Sequence, residues 1–150
     1  MLRHTLATLA YRAGKVLRGA PPGFGEFRAS DTTRSAGQIL AHIGDLMDWG
    51  ASIAEGNQAW KDSPAQAWEA DADRFFAAVA RFDAALAAAG AAAPGEKLFQ
   101  GPIADALTHT GQLAMMRRLA GVPIKGENYF AADIAEGRVG RDQVPPRREF

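Results

Sequence analysis

No cysteine occurs in the 150 residues, which removes disulfide frameworks, thiolate zinc sites and cysteine nucleophiles in one step. Net charge is also missing, because 17 Lys and Arg balance 17 Asp and Glu. The broad cationic excess that holds nucleic acid is therefore absent, and no nucleic-acid partner is expected. No continuous apolar run approaches the ~20 residues that cross a bilayer, so no membrane partner is expected either. Val, Ile and Thr are sparse and seldom alternate, which argues against sheet. Histidine is scarce: His4, His42 and His109 are all there is. Any metal site must add carboxylate oxygens to these few nitrogens.

What the chain has in quantity is alanine, with 32 copies. Alanine orders into a helix at no side-chain entropy cost. The composition predicts an all-α domain with closely packed helices, and the length suits one core. Arg3, Arg12, Lys15 and Arg18 precede the first acid, Glu26, as in a transit peptide. The spacing of Leu2, Leu6, Leu9, Ala13 and Val16 instead predicts an ordinary amphipathic helix and a soluble, cytoplasmic protein.

Four helical segments are expected. The first runs from Leu2 to Arg18 and stops at Gly19-Ala20-Pro21-Pro22-Gly23. A linker carrying Phe24 and Phe27 leads to the second, from Thr33 or Ser35 to Glu55, with an apolar row at Ile39, Ile43, Leu46, Met47, Gly50 and Ile53. The third is expected to start at Ser63, with Pro64 first in the helix and Gln66 completing a capping box. Its seam is Trp68, Ala72, Phe75, Val79, Phe82 and Leu86, the spacing of a left-handed four-helix bundle. The fourth runs from Pro102 to Ala120. The bundle core thus spans about residues 2–123. Residues 124–150 read as an irregular arm with a short helix near Ala131 to Glu136 and a frayed Pro145-Pro146-Arg147-Arg148 end.

On a helical wheel, His109 falls within the stripe Ala106, Leu113, Met116 and Ala120. Asp105 sits one turn before it, at the i, i+4 spacing that lets two side chains chelate one ion. His42 lies beside the buried row of the second helix. Two histidines and one carboxylate form a recurrent divalent-metal set with open positions. A lone histidine on an apolar face is more often a satisfied core residue or a capping donor than a ligand, and Asp105 reads as easily as an acid favoured by the start of its helix. Gln38 and Trp49 flank His42 along its helix, Gln112 follows His109 by one turn, and Glu127 and Asn128 lie on the arm; these five are the candidate pocket or supporting residues. Trp49 could also be core, and Gln112 a bridge between helices. His4 falls on the polar side of the first helix. Arg117-Arg118 reads as a helix-end cap, and Met115 and Met116 as core fillers.

The stretch Ile39-Leu40-Ala41-His42-Ile43-Gly44-Asp45-Leu46 resembles the "ILxHlxdl" signature of the DinB-like metal-binding four-helix bundles. Leu107-Thr108-His109-Thr110-Gly111-Gln112-Leu113 is similar to that family's "HxxxHxGQ" segment, and Arg117 to Pro123 continues in its style. The resemblance spans about residues 2–123. It implies a metal triad of one ligand from the second helix and two from the fourth. His42 and His109 match two of the family's three histidines, and Asp105 stands where the third would be. The exchange lowers the charge of the site and favours a harder ion. Zinc is the first expectation, with nickel, iron(II) and manganese as alternatives. The resemblance further implies a transferase or isomerase acting on a small molecule with a low-molecular-weight thiol, which this chain would have to bind, having none of its own. A hydrolase is compatible with the same ligands. A homodimer is expected. The alternative reading is a non-catalytic bundle, with or without metal, acting as a dimeric binding or stress-response protein.

Overall fold

A computed structural model describes residues 1–150. The chain is all-helical, with no strand. The long helices are α1 (Leu2–Leu17), α2 (Ala36–Ala54) and α3 (Trp68–Ala89). The fourth rod is composite: α4 (Gly95–Leu98), a π-helical turn (Phe99–Ile103) and α5 (Ala104–Leu119). α2 packs on α3 and α5, and α1 packs on the same two helices. Each of α1 and α2 thus sits between α3 and α5 in a four-helix bundle. One core runs through it, holding the buried Leu6, Ile43, Phe75 and Phe82, and Val139 joins it from the arm.

The long linker between α1 and α2 carries the chain between helices that are not neighbours. Phe24 is buried and meets Trp68 edge to face at 5.0 Å, which fastens the linker to the bundle. Arg117 is buried rather than capping its own helix alone. Its guanidinium donates to the carbonyls of Val16, Arg18 and Gly19, and to Val122. It therefore closes the end of α1, whose last carbonyls lack partners within the helix.

α2 starts from its N-cap at Ser35 as expected, and two other boundaries differ from the sequence expectation. The capping box forms at Ser35 and Gln38, at the start of α2. Ser63-Pro64-Ala65-Gln66 does not open α3, which begins at Trp68. The Ser63 N–H instead donates to Asp45 and the Gln66 N–H to Asp71, at 2.8 and 2.7 Å. Those buried carboxylates hold the segment extended, and the helix starts only where the apolar period starts. Pro102 lies inside the fourth rod rather than at its beginning. The π turn accommodates its missing N–H, so the rod reaches back to Gly95.

The arm also differs. A 3-10 turn at Tyr129–Ala131 replaces the short helix expected near Ala131 to Glu136. The end is tied down rather than frayed: the Asn128 N–H donates to the Arg148 carbonyl, and the Phe150 N–H to that of Gly126. One stretch, Trp68–Ala92, is long and apolar enough by length and composition to cross a bilayer, with mean hydropathy 1.4. Its alanines produce that value. The same stretch carries Asp71 and Asp83, and buries Phe75, Val79 and Phe82 in the core, an arrangement compatible with a soluble protein.

Candidate metal centre

α2 and α5 pack side by side, and this contact brings together residues 63 positions apart in sequence (His42 and Asp105). His42 flanks the buried row of α2, so its ring leans toward α5 without entering the core. Asp105 and His109 project from one face of α5, one turn apart. Asp105 Oδ2 lies 3.6 Å from His42 Nε2, and Asp105 Oδ1 lies 3.4 Å from His109 Nε2. The two imidazoles meet edge to face at 4.9 Å. One ligand atom from each of the three residues lies within 4.8 Å of the others.

With metal bonds of about 2.0–2.2 Å, two ligand atoms on a tetrahedral ion stand about 3.3–3.6 Å apart. Each imidazole stands at such a separation from an Asp105 oxygen, His42 from Oδ2 and His109 from Oδ1. With one atom taken per residue the three lie within 4.8 Å, so the side chains would have to draw together onto a single ion. The donor set, two nitrogens and one oxygen, suits a first-row divalent ion. The histidine side chains are 19% and 14% exposed and that of Asp105 is 46% exposed, so the cluster sits in a surface recess. Three protein ligands would leave a divalent ion with further positions for water or a ligand. Because Asp105 belongs to the middle of a continuous rod, its place is not explained by a helix start.

Gln112 supports the cluster as one of the sequence readings expected. Its amide oxygen is 2.8 Å from His109 Nδ1. An amide oxygen can only accept, so Nδ1 is a donor, and Nε2, on the side of Asp105, is the ring nitrogen available to a metal. Burial lowers the His42 pKa, the positive fields of His109 and Arg34 add to this, and Asp105 opposes it. The balance favours neutral imidazole, the form that binds a metal.

The α2–α3 loop supplies a residue that the sequence reading missed. Trp60 meets His42 edge to face at 5.8 Å and Trp49 at 5.7 Å. Trp49 therefore belongs to an aromatic wall beside the cluster, half-buried, and not to the closed core. The loop is pinned by side chains: Ser52 Oγ bonds the Ala59 N–H, and Asp45 takes the Ser63 N–H. Asp45 is in turn held by Arg74 at 2.8 Å. A large aromatic residue in a polar loop, with only the small Ala59 apolar beside it, was the available signal for Trp60.

Gln38 is exposed and its side chain closes the α2 capping box, while also bordering a recess of about 200 Å³ beside His42. Arg34, also missed, borders that recess and a second one beside His109. Two arm residues do not reach the cluster. The Glu127 carboxylate is buried against α1, accepting from Tyr11 Oη at 2.6 Å and Lys15 Nζ at 2.8 Å. Asn128 accepts the Phe130 N–H and caps the 3-10 turn. The arm crosses α1, and its polar residues are spent in docking it there. Met116 is core, but Met115 is 56% exposed and lines the recess beside His109. His4 is exposed on α1 and stands apart from the cluster.

No protein-family model matches the chain, and neither a curated protein nor a solved structure matches it.

Proposed function

We propose that His42, Asp105 and His109 hold one divalent cation, zinc first among the candidates, and that the protein is a metal-dependent enzyme of the DinB-like kind. The observation that carries this reading is the convergence of three ligand atoms from two helices within 4.8 Å at an open recess. A bound divalent ion at such a site lowers the pKa of a coordinated water or thiol and so supplies a nucleophile at neutral pH. The chain's own contributions are separate. Gln112 fixes the His109 tautomer, and Trp60 and Trp49 shield one side from water. A transferase or isomerase reaction with a low-molecular-weight thiol follows from the sequence resemblance, and the thiol must come from the ligand. The reading includes a cytoplasmic homodimer without nucleic-acid or membrane partners. The exposed Ala77, Ala80, Ala84 and Ala88 on one face of α3 support close approach of a second copy.

The test is metal analysis of untagged protein, with zinc titration, for the wild type and for the His42→Ala/His109→Ala double variant. The expected result is stoichiometric zinc in the wild type, and its loss in the double variant with the helical circular dichroism intact. A wild type that neither carries nor takes up metal overturns the site. If the fold melts when the metal is lost, the ion is structural and the enzymatic reading falls.

A further inference from the structure

Two features beside the metal cluster have no role in holding an ion. The first is a groove of about 450 Å³ between α2, α5 and the linker, within the range of about 300–1,000 Å³ used by small-molecule sites. Ile39, Met115, Met116 and Leu119 line it, with His109 and Gln112 at its polar end. Met115 and Leu119 leave 56% and 58% of their surface exposed. An apolar wall left to water beside polar, directional groups is the usual composition of a ligand pocket, and methionine adapts to varied shapes.

The second is Arg34. It borders both this groove and the recess that contains His42. Its guanidinium takes part in no ion pair or side-chain hydrogen bond, whereas Arg3, Arg74 and Arg81 are each matched to carboxylates. A planar cation at the junction of an apolar groove and a metal cluster can hold a carboxylate through two parallel N–H donors. The charge nearby limits the anion. Asp62 lines the same recess as Arg34 and His42, and Asp105 stands in the cluster. These two carboxylates repel a dianionic phosphate more strongly than a monoanion, so of the anions that a guanidinium holds, a single carboxylate is the least opposed.

We propose that the groove and Arg34 together bind a small amphipathic monocarboxylate, with its apolar body along Met115 and Leu119 and its carboxylate on Arg34. This deepens the proposed function and rests on it only for the chemistry after binding, since the ligand would then lie with a polar end beside His109.

The test uses the full chain after dialysis against EDTA, so that no metal competes for the carboxylate. Binding of octanoate, octanol and acetate is measured by calorimetry. Octanoate is expected to bind about tenfold tighter than octanol, the range for one charge-assisted hydrogen bond, and acetate not measurably. Arg34→Gln is expected to bring octanoate to the level of octanol and leave octanol unchanged. Leu119→Glu is expected to weaken octanoate and octanol alike. Equal binding of octanoate and octanol by the wild type, octanoate binding insensitive to Arg34→Gln, or no octanoate binding at all overturns the proposal. Zinc titration of Arg34→Gln runs alongside and is expected to match the wild type. Zinc uptake without octanoate binding refutes the ligand class and leaves the metal reading standing; octanoate binding without zinc uptake does the reverse.

Discussion

At the scale of single residues, Gln112 and Gly50 make the sharpest predictions. Gln112 touches no expected ligand atom of the ion, yet its bond to His109 Nδ1 orients the ring and selects the tautomer whose Nε2 can bind a metal. Gln112→Ala is expected to weaken zinc affinity by about 10–100-fold, the usual effect of losing such a partner. Competition with a chromogenic chelator measures it, with unchanged thermal unfolding of the metal-free protein as the control. Gly50 sits where α2 crosses the Phe82 ring, and a Cβ there would run into that ring. Phe82 is wholly buried within the core. Gly50→Ala is expected to cost about 1–3 kcal/mol in urea unfolding, as overpacking does. The metal candidates His42, Asp105 and His109 were legible at this scale because i, i+4 spacing is a local property. Trp60 and Arg34 were not, because neither is within one helical turn of any ligand.

At the scale of elements, the two candidate caps separate local signal from tertiary competition. Ser35 and Gln38 exchange hydrogen bonds with each other's backbone N–H groups at 3.2 and 2.9 Å. Ser35→Ala is expected to cost about 1 kcal/mol. Ser63, in the stronger-looking motif, makes no cap, and Ser63→Ala is expected to stay within about 0.5 kcal/mol. Denaturant midpoints of the two variants check the contrast. Asp45 explains it: its carboxylate is buried and takes both the Ser63 N–H and Arg74. Leaving that acceptor without partners inside the bundle would cost more than one cap contributes. Sequence periodicity identified the rows of α1, α2 and α3 because each row buries itself. It could not identify the π turn, because Pro102 ends a helix in the absence of a compensating bulge.

At the scale of the whole molecule, the arm is held by charge. Glu127 is buried with Tyr11 and Lys15, and Lys15 also reaches Glu149 at 2.8 Å. Glu127→Ala is expected to destabilise the protein by about 3 kcal/mol, because it strands a buried partner. Calorimetric unfolding measures it. The hydrogen bond from Lys15 holds the Glu149 carboxyl below its ordinary value of 4.5. A lowered acid pKa stabilises the fold above the unfolded value and loses that contribution as pH falls through the folded one. Burial alone would lower the Lys15 pKa, but its hydrogen bonds to Glu127 and Glu149 outweigh this and raise it. The amides of Asn128 and Phe150 are therefore expected to exchange faster below pH 4.5 than at neutral pH, relative to core amides, in hydrogen exchange. The arm contributed most of the misread residues, Glu127 and Asn128 among them. Its position depends on partners in α1 more than a hundred residues away, and no local spacing encodes such a pairing.

The sequence by itself determined the helical class, the buried rows of the long helices and the three candidate ligands. Each follows from the period of a helix and from the small set of side chains able to bind a metal without cysteine. Only the tertiary structure decided that His42 meets Asp105 and His109, that Trp60 and Arg34 border them, and that the arm docks on α1 instead of covering the cluster. Those outcomes depend on which helices pack together and on where buried carboxylates find their donors. Both are long-range balances of burial and desolvation, summed over the whole bundle.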